Sequence, residues 1–453
     1  MITGTVGIAL AFAWLVYTFR VFGGFPTAIA LILYLAAVAW MACEFALFTG
    51  LLAWIGPLPL GLGAPLVFTA VEFLFPSFFP WRLAHSQYRL PILIQTGDLA
   101  GPYLLTFVVV WTSTGVLAVY RRLTGRGSHP ISRTTIVAPA LALIAVVAYG
   151  RWRLADVRAE RTAAPALRLG VVQGNIDIVH KDDPQSFTRN LEEYRALSRR
   201  VAADADVLVW PETVLLQPVP LDQAQLRADD HGPFGGAARP LLFGALGVVR
   251  RAGKLRLTNS AFLLGEDGAI AGRYDKRVLM PFGEYMPLGE RFPSLRALSP
   301  ATAAFAAGER QTVLTVGSGA NLGVLICYED LVPGSARAAV AAGAHALVNL
   351  TNDAWYGHSA AALQHQVLAL WRAVETRRDL VRATNTGVTS LIGATGEVLA
   401  ELPTFESRTL VAEIRLLTER TVYAAVGDVF AWSVVAVFAV VLLQKGIRAG
   451  HRP

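Results

Sequence analysis

Six stretches of this chain are apolar over close to the length a helix needs to cross a bilayer, and that limits its possible folds more than any other feature. A span takes about 20 mostly apolar residues, and it is helical because lipid offers no partner to an unpaired backbone N–H or C=O. Five stretches lie before residue 150, running approximately Gly4–Phe19, Thr27–Ile55, Pro59–Phe79, Leu99–Tyr120 and Thr134–Tyr149. The sixth, Ala424–Leu443, nearly closes the chain. Charge follows the same division. Of 40 Lys+Arg and 33 Asp+Glu in 453 residues, the first 150 hold seven arginines and three acids (Glu44, Glu72, Asp98), with no lysine. The pattern predicts a transmembrane helical bundle of about five spans over 1–150 and a linker at 151–165. A globular domain over 166–416, a C-terminal transmembrane helix over 424–443 and a basic cytoplasmic tail at 444–453 follow. Whole-chain disorder, a disulfide-stapled secreted module and a lysine-faced nucleic-acid binder are excluded.

Short basic loops stay on the cytoplasmic side. The loop after the fourth stretch carries Arg121, Arg122, Arg126 and Arg133, and the tail carries Lys445, Arg448 and Arg452. A cytoplasmic N-terminus followed by five crossings puts that loop and the tail inside and the large domain outside. Arg151, Arg153, Arg158 and Arg161 run against this, but they adjoin a long translocated domain, where the rule is weak. The opening MITGTVG lacks a basic residue, which reads as a retained span and not a cleaved signal peptide. Glu44 and Glu72, inside apolar stretches, are expected to pair with polar groups on neighbouring helices or to line a substrate path. The two cysteines, Cys43 in a span and Cys327 in the soluble domain, are placed too differently for a disulfide.

From Leu167 the chain changes to short β-branched runs separated by turn residues, alternating with helical segments at Phe187–Ala203 and Ala360–Arg378, the latter with Ser359 as a cap candidate. Near-continuously apolar strands alternating with helices indicate an α/β fold with sheets buried on both faces. Three strand ends carry reactive groups. Glu212 follows Trp210-Pro211, where desolvation suits a carboxylate to general-base work. Lys276 lies in Tyr274-Asp275-Lys276-Arg277, ahead of the Pro- and Gly-rich Pro281–Pro287, which suits a movable arm. Cys327 ends the strand Leu325-Ile326-Cys327, and a thiol needs a base or cation to become thiolate. Each has an ordinary reading: Glu212 a helix start, Lys276 part of a solvated charge cluster, Cys327 a small core hydrophobe. The chain has no glycine loop for nucleotides, and His345, His358 and His365 are too scattered for a metal site, so no cofactor, metal or nucleic-acid partner is expected.

Taken together, Glu212, Lys276 and Cys327 resemble the catalytic triad of the nitrilase superfamily. RYDKRVLMPFGEYMP, LICYED, NLTNDAWYG, LQHQ and RATNTGVTSLIGATG, with spans on both sides, narrow the resemblance to the apolipoprotein N-acyltransferase family, from about residue 20 to Asp428. It implies a four-layer αββα sandwich domain attached to the helical bundle, in a bacterial inner membrane with the catalytic domain periplasmic. It also implies a ping-pong reaction with a phospholipid acyl donor and a diacylglyceryl apolipoprotein acceptor. Cys327 would be the nucleophile, Glu212 the base and Lys276 the oxyanion partner, with Glu284 a nearby carboxylate and Tyr328 and Glu329 flanking the thiol. The family has eight spans, so two would be missing at the N-terminus, and a misassigned start codon would explain that. A tryptophan common in the family near Asp182 is also absent. A membrane-tethered amidase using water and an inactive membrane scaffold are the alternatives.

Overall fold

The computed structural model describes residues 2–77, 79–126, 132–176, 184–220, 223–226, 239–294, 302–317 and 319–450. The expected position near Asp182 and part of the basic loop lie outside them. The chain divides into two compact units, one of Met1–Ala13, Leu31–Arg158 and Thr421–Pro453, the other of Trp14–Ala30 and Ala159–Arg420.

The first unit is helical. Thr27–Ile55, Pro102–Thr124, Thr134–Ala163 and Val429–Ile447 are each long and apolar enough to cross a membrane. The first expected span is instead broken into two helices, Gly4–Ala11 in this unit and Leu15–Val21 in the second. The third, Pro59–Phe79, is not a regular span. Its main helix, Gly63–Leu74, has 12 residues, about 18 Å at 1.5 Å per residue, against a hydrocarbon core of about 30 Å. Glu72 is paired near the end of that helix. Its carboxylate accepts from Leu83 N at 2.6 Å and Thr106 Oγ1 at 3.0 Å, while its carbonyl accepts from Arg82 at 2.8 Å. That is the structural pairing expected of it. Within 151–165, where a linker is expected, the helix begun at Thr134 continues to Ala163. Arginines that interrupt the apolar pattern are anchored in helical register. Arg153 donates to Asp98 at 2.8 Å and to Asp156, and Tyr149 donates to Asp98 at 2.7 Å. The last helix runs Val429–Gly450, later than expected, after a turn Val422–Val426 that Thr421 caps and Gly427 ends.

The second unit contains two sheets. One has the order β13-β1-β2-β4-β5-β6 with β3 beside β4; the other runs β12-β11-β10-β9-β8-β7. The strands are β1 (Ala166–Gln173), β2 (Val207–Val209), β3 (Leu215–Val219), β4 (Leu241–Arg251), β5 (Lys254–Leu264), β6 (Ile270–Asp275) and β7 (Val313–Val316). They continue with β8 (Ala320–Ile326), β9 (Ala346–Thr351), β10 (Leu380–Thr384), β11 (Ser390–Ile392), β12 (Val398–Glu401) and β13 (Arg408–Arg415). Strand alternation sorts the side chains. Leu169, Val171, Val207 and Val209 meet Leu322, Val324, Ile326, Val348 and Leu350 in the core between the sheets. The intervening Val172, Leu208 and Trp210 face outward and pack on Leu191, Tyr194, Leu197 and Val201 of the helix Pro184–Val201. Across the other sheet, a Cβ on Gly323 would meet Ala339 at 2.8 Å, so a glycine lets the helix Pro333–Ala341 approach. The four-layer αββα sandwich implied by the resemblance is the observed architecture.

Candidate active site

Three strand ends converge. Glu212 follows β2, Lys276 follows β6 and Cys327 follows β8, and all three are buried. The thiol senses the charges of Glu212, Lys276 and Glu284.

The turn that carries Glu212 exists because β4 has a glycine beside it. A Cβ on Gly244 would lie 2.6 Å from Glu212 Cα and Thr213 N and 2.7 Å from Pro211 O, all backbone. In its absence Gly244 N donates to Pro211 O at 3.0 Å and accepts at its carbonyl from Val214 N at 2.9 Å. Thr213 takes φ 51°, turning the chain immediately after the carboxylate.

One cation is shared by two carboxylates. Lys276 Nζ lies 2.9 Å and 2.8 Å from the two oxygens of Glu284 and 3.8 Å from Glu212 Oε1. Asn259 Nδ2 donates to both acids, at 2.7 Å to Glu212 and 2.8 Å to Glu284, and Met280 N donates to Glu284 at 2.7 Å. Burial alone would lower the Lys276 pKa, but Glu284, Cys327 and Glu212 outweigh it and the ammonium is held well above its usual range. Nothing in the spacing of the sequence points to Asn259, since it reaches both acids through the register of β5.

Cys327 has φ 48°, a left-handed conformation that costs a non-glycine residue of order 1 kcal/mol or more, so its surroundings must hold it. Glu329 is one support. Fully buried, it accepts from Ile326 N at 2.9 Å, Arg277 N at 2.8 Å, Val278 N at 3.1 Å and Tyr274 OH at 2.8 Å. A single carboxylate thereby ties the Lys276 strand end to the nucleophile turn. Asn349 Nδ2 adds a bond to Cys327 O at 3.2 Å. Tyr328 is half-buried, and burial pushes its phenol up.

Burial and the Glu212 charge push the Cys327 thiol well above its ordinary pKa, against the opposing pull of Lys276 and the adjoining Thr351 hydroxyl. At rest the sulfur is therefore a neutral thiol. It needs a base at the moment it attacks, and Glu212 is the carboxylate not clamped by a 2.8 Å pair to the lysine. Among the described residues no group of three His, Cys, Asp or Glu side chains could hold a metal ion.

The stretch Pro281–Pro287 forms a hydrogen-bonded turn, with Phe282 N donating to Tyr285 O at 2.8 Å and Glu284 N to Met280 O at 2.9 Å. It points Glu284 inward and leaves Phe282, Tyr285 and Leu288 exposed. A second buried cluster, Asp330, Asp353, His365 and Arg382, lies behind the nucleophile turn. By sequence spacing His365 is one of three scattered histidines; only the fold brings it between two acids.

Residues 168–423 match the carbon-nitrogen hydrolase family, and residues 1–115 match the apolipoprotein N-acyltransferase N-terminal domain. The chain is 33% identical to an apolipoprotein N-acyltransferase of Geobacter metallireducens, over 97% of this chain and 85% of that one. It is 32% identical to one of Pseudomonas putida, over 90% of this chain and 80% of that one. Among solved structures, an amidase from Nesterenkonia sp. is similar at 22% identity and a TM-score of 0.40, over 56% of this chain and 91% of that one. Both halves of the chain, the apolar helices and the α/β domain, thus match the two parts of one kind of protein, and the chain belongs to the apolipoprotein N-acyltransferase family.

Proposed function

We propose that this protein moves an acyl chain from a phospholipid to the α-amino group of the diacylglyceryl-cysteine that begins an apolipoprotein. Glu212 takes the proton of the Cys327 thiol as sulfur attacks the sn-1 ester carbonyl. The S–C bond forms, the ester C–O bond breaks, and the proton passes to the departing lysophospholipid oxygen. Lys276 stays charged throughout and faces the oxyanion, where a preorganised cation in a dry site stabilises the transition state most. Glu284 and Asn259 hold that lysine in place. In the second half the amine attacks the thioester, the C–N bond forms, the C–S bond breaks, and the amine proton leaves through Glu212 to restore the thiol.

The observation that carries this reading is the buried sharing of Lys276 between Glu212 and Glu284 beside a neutral thiol, on a chain of this family. Water has to be kept from the thioester until the amine arrives, and a buried cysteine suits that. We place the protein in the bacterial inner membrane with the second unit periplasmic. Arg121 and Arg122 in the last turn of the helix Pro102–Thr124, Arg126 and Arg133 beyond it, and Lys445 and Arg448 near the end of the last helix support that orientation.

The test supplies the full chain in detergent with phospholipid and a synthetic diacylglyceryl-cysteine peptide. Equal amounts of lysophospholipid and N-acyl peptide are expected. Free fatty acid without acylated peptide would instead assign the chain to hydrolysis.

A further inference from the structure

The cluster behind the nucleophile is built from four separate parts of the second unit. Asp330 lies in the single turn Cys327–Leu331, Asp353 opens the turn Asp353–Tyr356 just after β9, and His365 lies on the helix Ala361–Thr376. His365 Nε2 is 2.7 Å from Asp330 Oδ1 and its Nδ1 is 2.7 Å from Asp353 Oδ1. Arg382 on β10 closes the ring, donating to Asp330 and, at 3.5 Å, to Asp353 Oδ2. All four side chains are buried. A histidine with an acid on each ring nitrogen donates both protons, so the cluster holds two cations against two anions.

Both turns adjoin the thiol. Cys327 opens the first, and Tyr356, which ends the second, senses the Cys327 charge. The second turn is also braced from its other side. Trp14 Nε1 donates to Gln364 at 3.0 Å, Thr18 Oγ1 donates to Trp355 O at 3.1 Å, and Gly357 leaves room for the Tyr17 ring.

We propose that His365 is a positioning residue for the nucleophile: through Asp330 and Asp353 it fixes the two turns that wall the thiol and keeps the charge behind them balanced. The groups facing it are Asp330, Asp353, Arg382 and the Tyr356 ring, 6.3 Å away edge-on. Burial alone would lower the imidazole pKa, but Asp330 and Asp353 outweigh burial and Arg382 and raise it from 6.5 to about 9. It is therefore protonated at neutral pH. Losing that cation leaves one uncompensated negative charge near a thiol that must shed a proton.

This role rests on Cys327 being the nucleophile, which detection of an acyl thioester in the parent protein tests separately. The experiment uses full-length protein in detergent carrying Cys43→Ser, so that a small thiol reagent reads Cys327 alone. Its rate of reaction with methyl methanethiosulfonate is followed from pH 6 to 8, below the range in which Cys327 or His365 loses its proton, so that the rate reports the thiolate fraction. H365Q is expected to slow the reaction about tenfold, the equivalent of one pH unit. D330N/H365Q, which removes an anion together with the cation, is expected to bring the rate back toward the parent. A purely structural histidine would lower thermal stability and leave the rate unmoved, and that result overturns the proposal, as does a double variant no better than H365Q. Should H365Q fail to fold, D330N alone reads the same balance from the other side. Its rate should rise, and a rate unmoved or lowered overturns the proposal.

Discussion

Gly244→Ala separates having the right residues from holding them in the right place. The substitution leaves every proposed catalytic group intact and adds one methyl group beside the turn that carries Glu212. The new Cβ would lie 2.6 Å from Glu212 Cα and Thr213 N, where ordinary contact begins at 3.4 Å, so the backbone must give by about 0.8 Å. No flexible side chain is there to yield, since all three nearest atoms are backbone. Overpacking of this kind costs about 1–3 kcal/mol of stability. A base displaced by about 1 Å costs on the order of 100-fold in rate. The assay is initial-rate acyl transfer to peptide by the detergent-solubilised variant, beside its thermal unfolding. The expected outcome is a kcat lowered about 100-fold in a protein that still folds, with an attack step that no longer responds fully to Glu212. Wild-type kcat in a folded Gly244→Ala protein would refute the claim that this close approach positions the base.

Glu284→Gln removes the closer of the two carboxylates on Lys276, which then turns to Glu212. Loss of a charged hydrogen bond is worth about 1.5–3 kcal/mol, so kcat should fall about 10- to 100-fold, and an unchanged kcat would contradict the proposed clamp. Stability should also depend on pH through His365. Its proton is bound more tightly in the folded state, so its contribution is complete below pH 6.5 and is lost as pH rises through about 9. That contribution is about 3 kcal/mol at roughly 1.4 kcal/mol per pKa unit. Denaturant unfolding of the parent and H365Q at pH 6 and pH 9.5 should show the difference shrink at the higher pH; a constant difference would sink the assignment. Asp379→Asn strips the charge from a buried carboxylate that accepts from Arg161 at 2.7 and 2.8 Å and from Ala394 N and Arg415 N at 2.9 Å. Leaving Arg161 unpaired should cost about 3 kcal/mol, read as a lower unfolding midpoint, with kcat in the surviving fraction unaffected.

The sequence is most informative where a property is local. Apolar runs located four of the long helices, and Glu212 and Cys327 stood out because each ends an apolar strand, while Lys276, also at a strand end, stood out from its charged neighbours only beside the other two. Glu329 stood out only by adjacency. Its work, linking Tyr274 and the Arg277 backbone to the nucleophile turn, is visible only once β6 and β8 are placed. Asn259 and Gly244 were not legible, since their importance comes from strand register and neither residue type announces itself. His365 was set aside for want of a metal-ligand spacing, whereas its partners are acids 12 and 35 residues away that the fold brings to it. Pro59–Phe79 was legible only in part. Its composition suits a span, but Glu72 pairs with Leu83 N and Thr106, and the helix stops at Leu74.

Intact-mass analysis of the full chain after incubation with phospholipid alone, followed by peptide mapping, tests the central claim most directly. The account predicts a single added acyl chain on Cys327, released by hydroxylamine and absent from Cys327→Ser, with Cys43→Ser acylated like the parent. An acyl chain on any other residue, or a Cys327→Ser protein that acylates as the parent does, would contradict it.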